Sequence, residues 1–214
     1  MILSLIFKLK TVLRAVIPER GLRVIRGLSL IFTPPPPPSA YLPFKVIQDC
    51  RFLCDRNMLL EYLPTGGIVC EVGTQHGNFA RHILDICTPT ALHLIDISFE
   101  LLRDDVRTHA CVTLHQGSSK DVMAALPDNS FDWIYIDGDH SYQGVKADID
   151  VAMSKVKPGG YLVFNDFARI VIAGLGAFGV HGAVCEFAAR ECWPMAYFCF
   201  EPEGLYDVAF RKPL

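Results

Sequence analysis

The chain has 214 residues, 51% of them hydrophobic and 20% charged, which supplies one substantial core, excludes a mainly disordered chain and leaves a two-domain enzyme cramped. Twenty basic against 23 acidic side chains give a net charge of −3, which excludes nucleic-acid binding by bulk electrostatics. The average conceals an asymmetry: residues 1–33 carry Lys8, Lys10, Arg14, Arg20, Arg23 and Arg26 against Glu19 alone, a net +5, which leaves −8 on the other 181 residues.

In chain order, residues 1–33 form a basic amphipathic arm. On a helical wheel Ser4, Lys8, Lys10, Thr11 and Arg14 share one arc and Ile2, Leu5, Ile6, Leu9, Val12, Leu13, Val16 and Ile17 the other. Pro18 ends this piece, and Arg20, Arg23 and Arg26 follow at helical spacing. No apolar run approaches the roughly 20 residues that span a bilayer, and the early charge, unbroken apolar run and cleavage site of a signal peptide are absent. The pattern of residues 1–32 fits a helix lying on an anionic membrane surface; packing on the domain, contact within a homo-oligomer and organelle targeting are the other readings. Residues 34–43 are a linker, in which Pro34–Pro38 form a stiff spacer of about 15 Å at roughly 3.1 Å per residue. The domain occupies residues 44–214.

Within it the hydrophobic period switches repeatedly. Val46–Leu63 reads as a helix stopped by Pro64-Thr65-Gly66-Gly67, and Ile68–Val72 as a strand. There follow helix Asn78–Ile86, strand Ala91–Ile97, helix Phe99–Arg107 with Ser98 placed to cap it, and strand Cys111–His115. Helix Ser119–Leu126, strand Phe131–Ile136, helix Gly144–Val156 ended by Pro158-Gly159-Gly160, and strand Tyr161–Phe164 come next. A glycine-rich loop from Phe167 to Gly182 reads as a substrate lid, followed by helix Ala183–Arg190 and a closing strand pair, Met195–Phe200 and Tyr206–Phe210. The alternation implies an α/β fold with a mostly parallel sheet covered on both faces, whose ligands sit beyond the carboxyl ends of the strands. Eight cysteines without a C-x-x-C pair, several in apolar runs, read as reduced and mostly buried thiols in the cytoplasm.

The chemistry-bearing residues recur at those strand ends. Glu71-Val72-Gly73-Thr74-Gln75-His76-Gly77 forms a tight glycine loop lacking the middle glycine of a dinucleotide fingerprint, and Glu71 would repel a pyrophosphate but suit a cationic or zwitterionic ligand. Asp96 ends the next strand, where a carboxylate accepts both hydroxyls of a ribose. Asp137-Gly138-Asp139-His140 follows the fourth strand and Asn165-Asp166 the fifth. Asp137, Asn165 and Asp166 together make a hard-oxygen set suited to Mg²⁺. His93 and His115, inside strands, read as satisfied structural groups.

At Ile136-Asp137-Gly138-Asp139-His140-Ser141-Tyr142, followed by Val145, Asp148 and Lys157-Pro158-Gly159-Gly160, the chain resembles the class I S-adenosylmethionine-dependent methyltransferases over about Val46–Phe210. The resemblance implies a Rossmann-like, seven-stranded sheet with its last strand antiparallel and helices on both faces. It implies that Glu71, Gly73 and Gly77 hold the methionine part of the cofactor, Asp96 the ribose and Gly117-Ser118 the adenine side, with Thr74, Ile97 and Asp137 completing the contacts. The glycine loop is also similar to that of metal-dependent O-methyltransferases, although Asn165-Asp166 reverses their Asp-Asn order. In those enzymes and in related sugar O-methyltransferases the catalytic base falls on positions matching His140 or Asp139. The expected activity is O-methylation of a small-molecule, sugar or lipid-linked hydroxyl, assisted by Mg²⁺, in a cytoplasmic protein peripheral to the membrane. A NAD-dependent oxidoreductase and a non-catalytic membrane-associated scaffold are the alternatives.

Overall fold

The computed structural model describes residues 39–171, 176–177, 179–201 and 205–214. The predicted arm and Pro34–Pro38 lie outside the described residues. The elements are α1 (Phe44–Ile47), β1 (Arg51–Leu53), α2 (Arg56–Tyr62), β2 (Ile68–Val72), α3 (Asn78–Cys87) and β3 (Ala91–Asp96). They continue with α4 (Asp104–Arg107), β4 (Val112–Gln116), α5 (Ser119–Ala125), β5 (Phe131–Ile136), α6 (Tyr142–Lys155) and β6 (Val156–Phe164). A two-residue antiparallel pair, β7 (Ile170–Val171) and β8 (Gly176–Ala177), belongs to a compact unit of its own. The chain ends with α7 (Val180–Glu191), β9 (Met195–Phe200) and β10 (Tyr206–Arg211).

The sheet runs in the order β1-β9-β10-β6-β5-β2-β3-β4. The five strands from β6 to β4 are parallel to their neighbours, as short runs buried on both faces require. β10 is antiparallel to β6 and to β9, which forms the expected closing pair. Alternate residues feed two cores. Val69, Leu92, Leu94, Trp133 and Tyr135 pack with α2, α3 and the segment Phe99–Val106, whereas Cys70, Val72, Ile134, Ile136 and Phe164 pack with α5, α6 and α7.

Three expectations are corrected. The sheet has eight strands, not seven, because the helix expected over Val46–Leu63 is broken by β1. Arg51, Phe52 and Leu53 pair in parallel with Tyr197, Phe198 and Cys199, and the Phe52 ring lies 5.7 Å from that of Phe198, so cross-strand pairing outweighs the helical period. The helix then restarts at Asp55, whose carboxylate accepts from the Met58 amide at 2.8 Å. The helix expected over Phe99–Arg107 is only α4: Ser98 does not cap it but accepts from the Glu100 amide in a local turn, while Phe99 and Leu102 are spent as core anchors. Lys157–Gly160 does not precede a strand but lies within β6, and a side chain at Gly160 would collide with the Asp132 carbonyl. Of the expected lid, the described residues form the β7–β8 pair and the first turn of α7.

All eight cysteines are free, with Cys70, Cys87, Cys185 and Cys199 buried. Among the described residues no helix is long and apolar enough to cross a membrane. Removing the Asp55 cap with Asp55→Ala is expected to lower stability by about 1 kcal/mol, read as a shifted urea midpoint with unchanged slope.

Candidate active site

Backbone hydrogen bonds that continue one residue past the strands bring the functional loops to one edge. Gly73 donates to Ile95, Asp137 to Val72, Gly117 to Asp96 and Asn165 to Ile136, at 2.8–3.0 Å. Every residue that the sequence placed at a strand end therefore stands on the carboxyl side of the same sheet.

The glycine loop is held by contacts that leave no room for substitution. Gly73 has φ +89°, and a side chain there would collide with the Asp137 carbonyl, so the loop after β2 rests directly on the loop after β5. Gln75 takes the left-handed conformation at φ 48° and donates its amide to Asp96 Oδ2 at 2.8 Å, while the Ser98 amide donates to Oδ1 at 3.1 Å. Asp96 thus ties the loop to β3 with one hydrogen bond on each oxygen, and each oxygen retains acceptor capacity. Ile97 beside it is 77% exposed, an apolar surface at the rim. Gly117 has φ +156°, and Ser118, at the N-cap of α5, makes no side-chain capping bond. His76 is exposed at the loop's outer side.

Beneath this loop Glu71 and Thr74 are buried, and Glu71 Oε2 and Thr74 Oγ1 have no hydrogen-bond partner. Burial, reinforced by Asp137 and Asp96, outweighs the nearby Thr74 hydroxyl and Arg56, which favour the charge, and pushes the Glu71 carboxyl up to about 8. An orphaned acceptor of this kind, under a loop whose glycines permit close approach, fits a ligand that brings a cationic donor.

The second cluster centres on His140. Its Nε2 stands 3.4 Å from Asp137 Oδ1, 3.3 Å from Asp166 Oδ2 and 3.5 Å from Asn165 Oδ1. Burial opposes its charge, but the Asp137 and Asp166 carboxylates outweigh that and raise the imidazole to about 10. Burial also raises Asp137 against the pull of His140. Asp139 is exposed and committed to the start of α6: its oxygens accept from the Ser141 amide and hydroxyl, both at 2.9 Å, and Ser141 caps the helix at Gly144.

The Mg²⁺ reading of Asp137, Asn165 and Asp166 does not fit this arrangement. The three oxygens do converge, but on His140 Nε2, so an imidazole fills the place a cation would take. Among the described residues no group of three or more His, Cys, Asp or Glu is arranged to hold a metal ion.

Other contacts were not foreseen from the sequence. Tyr135 donates to Asp207 Oδ2 at 2.5 Å, and Asn165 Nδ2 donates to Tyr135 Oη and Asp207 Oδ1, each at 3.1 Å. The signal was an acidic residue inside the apolar run of β10. Ser119 donates to buried Asp148 at 2.5 Å, joining α5 to α6, and burial raises Asp148 to about 6. His93 and His115 pair with each other at 2.9 Å, as structural groups.

Residues 70–167 match a methyltransferase domain family. An uncharacterized protein of Acanthamoeba polyphaga mimivirus is 44% identical over 46 residues, covering 22% of this chain and 20% of that one; the matched stretch thus spans a fifth of the relative's length. Among solved structures, the N-methyltransferase NodS of Bradyrhizobium japonicum bound to S-adenosylhomocysteine is 16% identical, with a TM-score of 0.57 over 74% of this chain and 86% of that one. A protein from Corynebacterium glutamicum aligns over 98% and 97% of the two chains at 19% identity and a TM-score of 0.57. An O-methyltransferase family protein from Burkholderia thailandensis aligns over 74% and 55% at 13% identity and a TM-score of 0.55. The likeness to these structures shows a Rossmann-like fold, and residues 70–167 within it match the methyltransferase domain family, in keeping with the sequence resemblance.

Glu71 also ties stability to pH. Its folded value lies above the ordinary 4.5, so the unfolded chain loses its proton first and stability falls as pH rises from about 4.5 to about 8. Glu71→Gln is expected to raise the melting temperature above pH 8 by about 2–4 °C per kcal/mol relieved, with no gain at pH 4, measured by scanning calorimetry.

Proposed function

We propose that the protein transfers a methyl group from S-adenosylmethionine to a hydroxyl oxygen. The observation that carries the cofactor assignment is the buried, unpartnered Glu71 Oε2 beneath the Gly73 loop, with Asp96 at the next strand end. Glu71 and Thr74 meet the ammonium and carboxylate of the methionine end, with Gly73 and Gly77 allowing close approach. Asp96 accepts from the ribose hydroxyls, and Ile97, Gly117 and Ser118 border the adenine. The bound cofactor supplies a methyl group on a sulfonium, already activated for in-line transfer, so alignment is the protein's main contribution.

A hydroxyl must shed a proton as it attacks, whereas a neutral amine attacks with its own lone pair, and the chain provides a place for that proton. His140, raised to about 10 between Asp137 and Asp166, already holds its proton, so the proton of the acceptor goes to a carboxylate beside it, and Asp137, which burial raises against the pull of His140, is the one placed to take it. Asp139, engaged in the helix cap, is the less suited base. No step is assigned to magnesium, because His140 would have to leave its place to admit the ion. The +5 charge and amphipathic pattern of residues 1–32 support an acceptor presented at a membrane surface, lipid-linked or glycan.

The test is calorimetric titration with S-adenosylhomocysteine and, separately, NAD, with and without Mg²⁺, on wild type and Asp96→Ala. The expected result is micromolar binding of the homocysteine nucleoside, indifferent to Mg²⁺ and weakened tenfold or more by Asp96→Ala, since each hydrogen bond to a charged group contributes about 1.5–3 kcal/mol. Binding near pH 7 should release a proton from Glu71, seen as a dependence of the heat on buffer ionisation. NAD binding without nucleoside binding would favour the oxidoreductase, and binding of neither would sink the enzyme reading.

A further inference from the structure

We infer that Asp207, together with Tyr135, is a positioning residue of this site: the two fix the side-chain amide of Asn165 so that its carbonyl oxygen faces His140. Asp207 lies on β10, the antiparallel strand beside β6, and is wholly buried, as is Tyr135; Asn165 is 5% exposed. The three side chains close a triangle in which every group has a defined role. Tyr135 donates to Asp207 at 2.5 Å, and the two amide hydrogens of Asn165 go to Asp207 and Tyr135 at 3.1 Å.

Burial raises Asp207 to about 7, so above that pH it is a carboxylate with no hydrogen to give, and the Asn165 group that faces it must then be the amino group. Flipping the amide would set its oxygen against the Asp207 oxygen in a dry interior, at the full cost of an unmade buried hydrogen bond. With the amino group turned inward, Oδ1 is turned outward toward His140 Nε2 at 3.5 Å. The charge is supported from the other side. Arg56, half-buried on α2 with its guanidinium 5.2 Å from the Phe79 ring centre, pulls Asp207 down against the burial that raises it, and the Phe79 ring lies 4.3 Å from that of Tyr135. A residue two strands away from Asp137 thus sets an oxygen beside His140 through Asn165.

The consequence for catalysis rests on the methyl-transfer reading, but the geometry is open to a test that needs no acceptor. Histidine ring-nitrogen NMR is recorded at one fixed pH well above 7, where Asp207 is ionised, on wild type, Asp207→Asn, Asn165→Ala and the double variant, with S-adenosylhomocysteine calorimetry on the same samples. Asp207→Asn, which nearly preserves shape, is expected to move the His140 resonances while those of His93 and His115 stay. In the Asn165→Ala background it should move nothing further, the non-additivity of two residues acting through one another. A His140 signal unmoved by Asp207→Asn, or one that moves equally in both backgrounds, overturns the inference. Should Asp207→Asn fail to fold, Tyr135→Phe enters the same cycle, and the same two outcomes decide. Failure of wild type to bind the homocysteine nucleoside would end the methyl-transfer reading while leaving the NMR result to stand.

Discussion

The site depends on one constraint: Gly73 and the Asp137 carbonyl approach so closely that not even a methyl group fits between them. Parallel strands of nearly equal reach bring their carboxyl ends to a common edge, but a shared edge alone would leave five independent loops. The direct seating of the loop after β2 on the loop after β5, and the Gln75–Asp96 hydrogen bond to the end of β3, turn three of those loops into one rigid rim. Asp166, in a left-handed backbone at φ 54°, follows Asn165, whose amide donates to Ile136 at the end of β5.

Charge is distributed around that rim by burial. Glu71, Asp148 and Asp207 all lie in the interior, and each is raised above the ordinary carboxylate range, first by loss of water. Their partners differ. Asp148 has a hydroxyl, Asp207 has a phenol and an amide, and Glu71 Oε2 has none, which singles it out as the group a ligand would complete. The His140 trio is the opposite case, a charge fully answered by its neighbours.

Much of this was legible in the sequence because the signals were local. Phe131–Ile136 is a nearly continuous apolar run that fixes its strand to the residue, and glycines and acids at strand ends mark the loops. What was illegible is non-local. β1 has only three residues, set within a helical period, and its partner β9 lies some 145 residues further along the chain, so nothing nearby announces it. The same holds for Tyr135 and Asp207, whose pairing appears only when β10 folds back beside β6. For Asp137, Asn165 and Asp166 the residue types were right, but types alone do not say which atom fills the space they enclose.

The short strand that interrupts the expected helix has a further effect. A sheet ends safely only where its last strand offers a poor template to another chain. Without β1, the six residues of β9 would present an open edge. With it, the outermost ladder is three residues long and stops abruptly at the Asp55-capped start of α2. Arg51 adds charge along that edge, and only Phe52 offers it exposed apolar surface. The insertion therefore limits how far the sheet can be extended by addition of a second molecule.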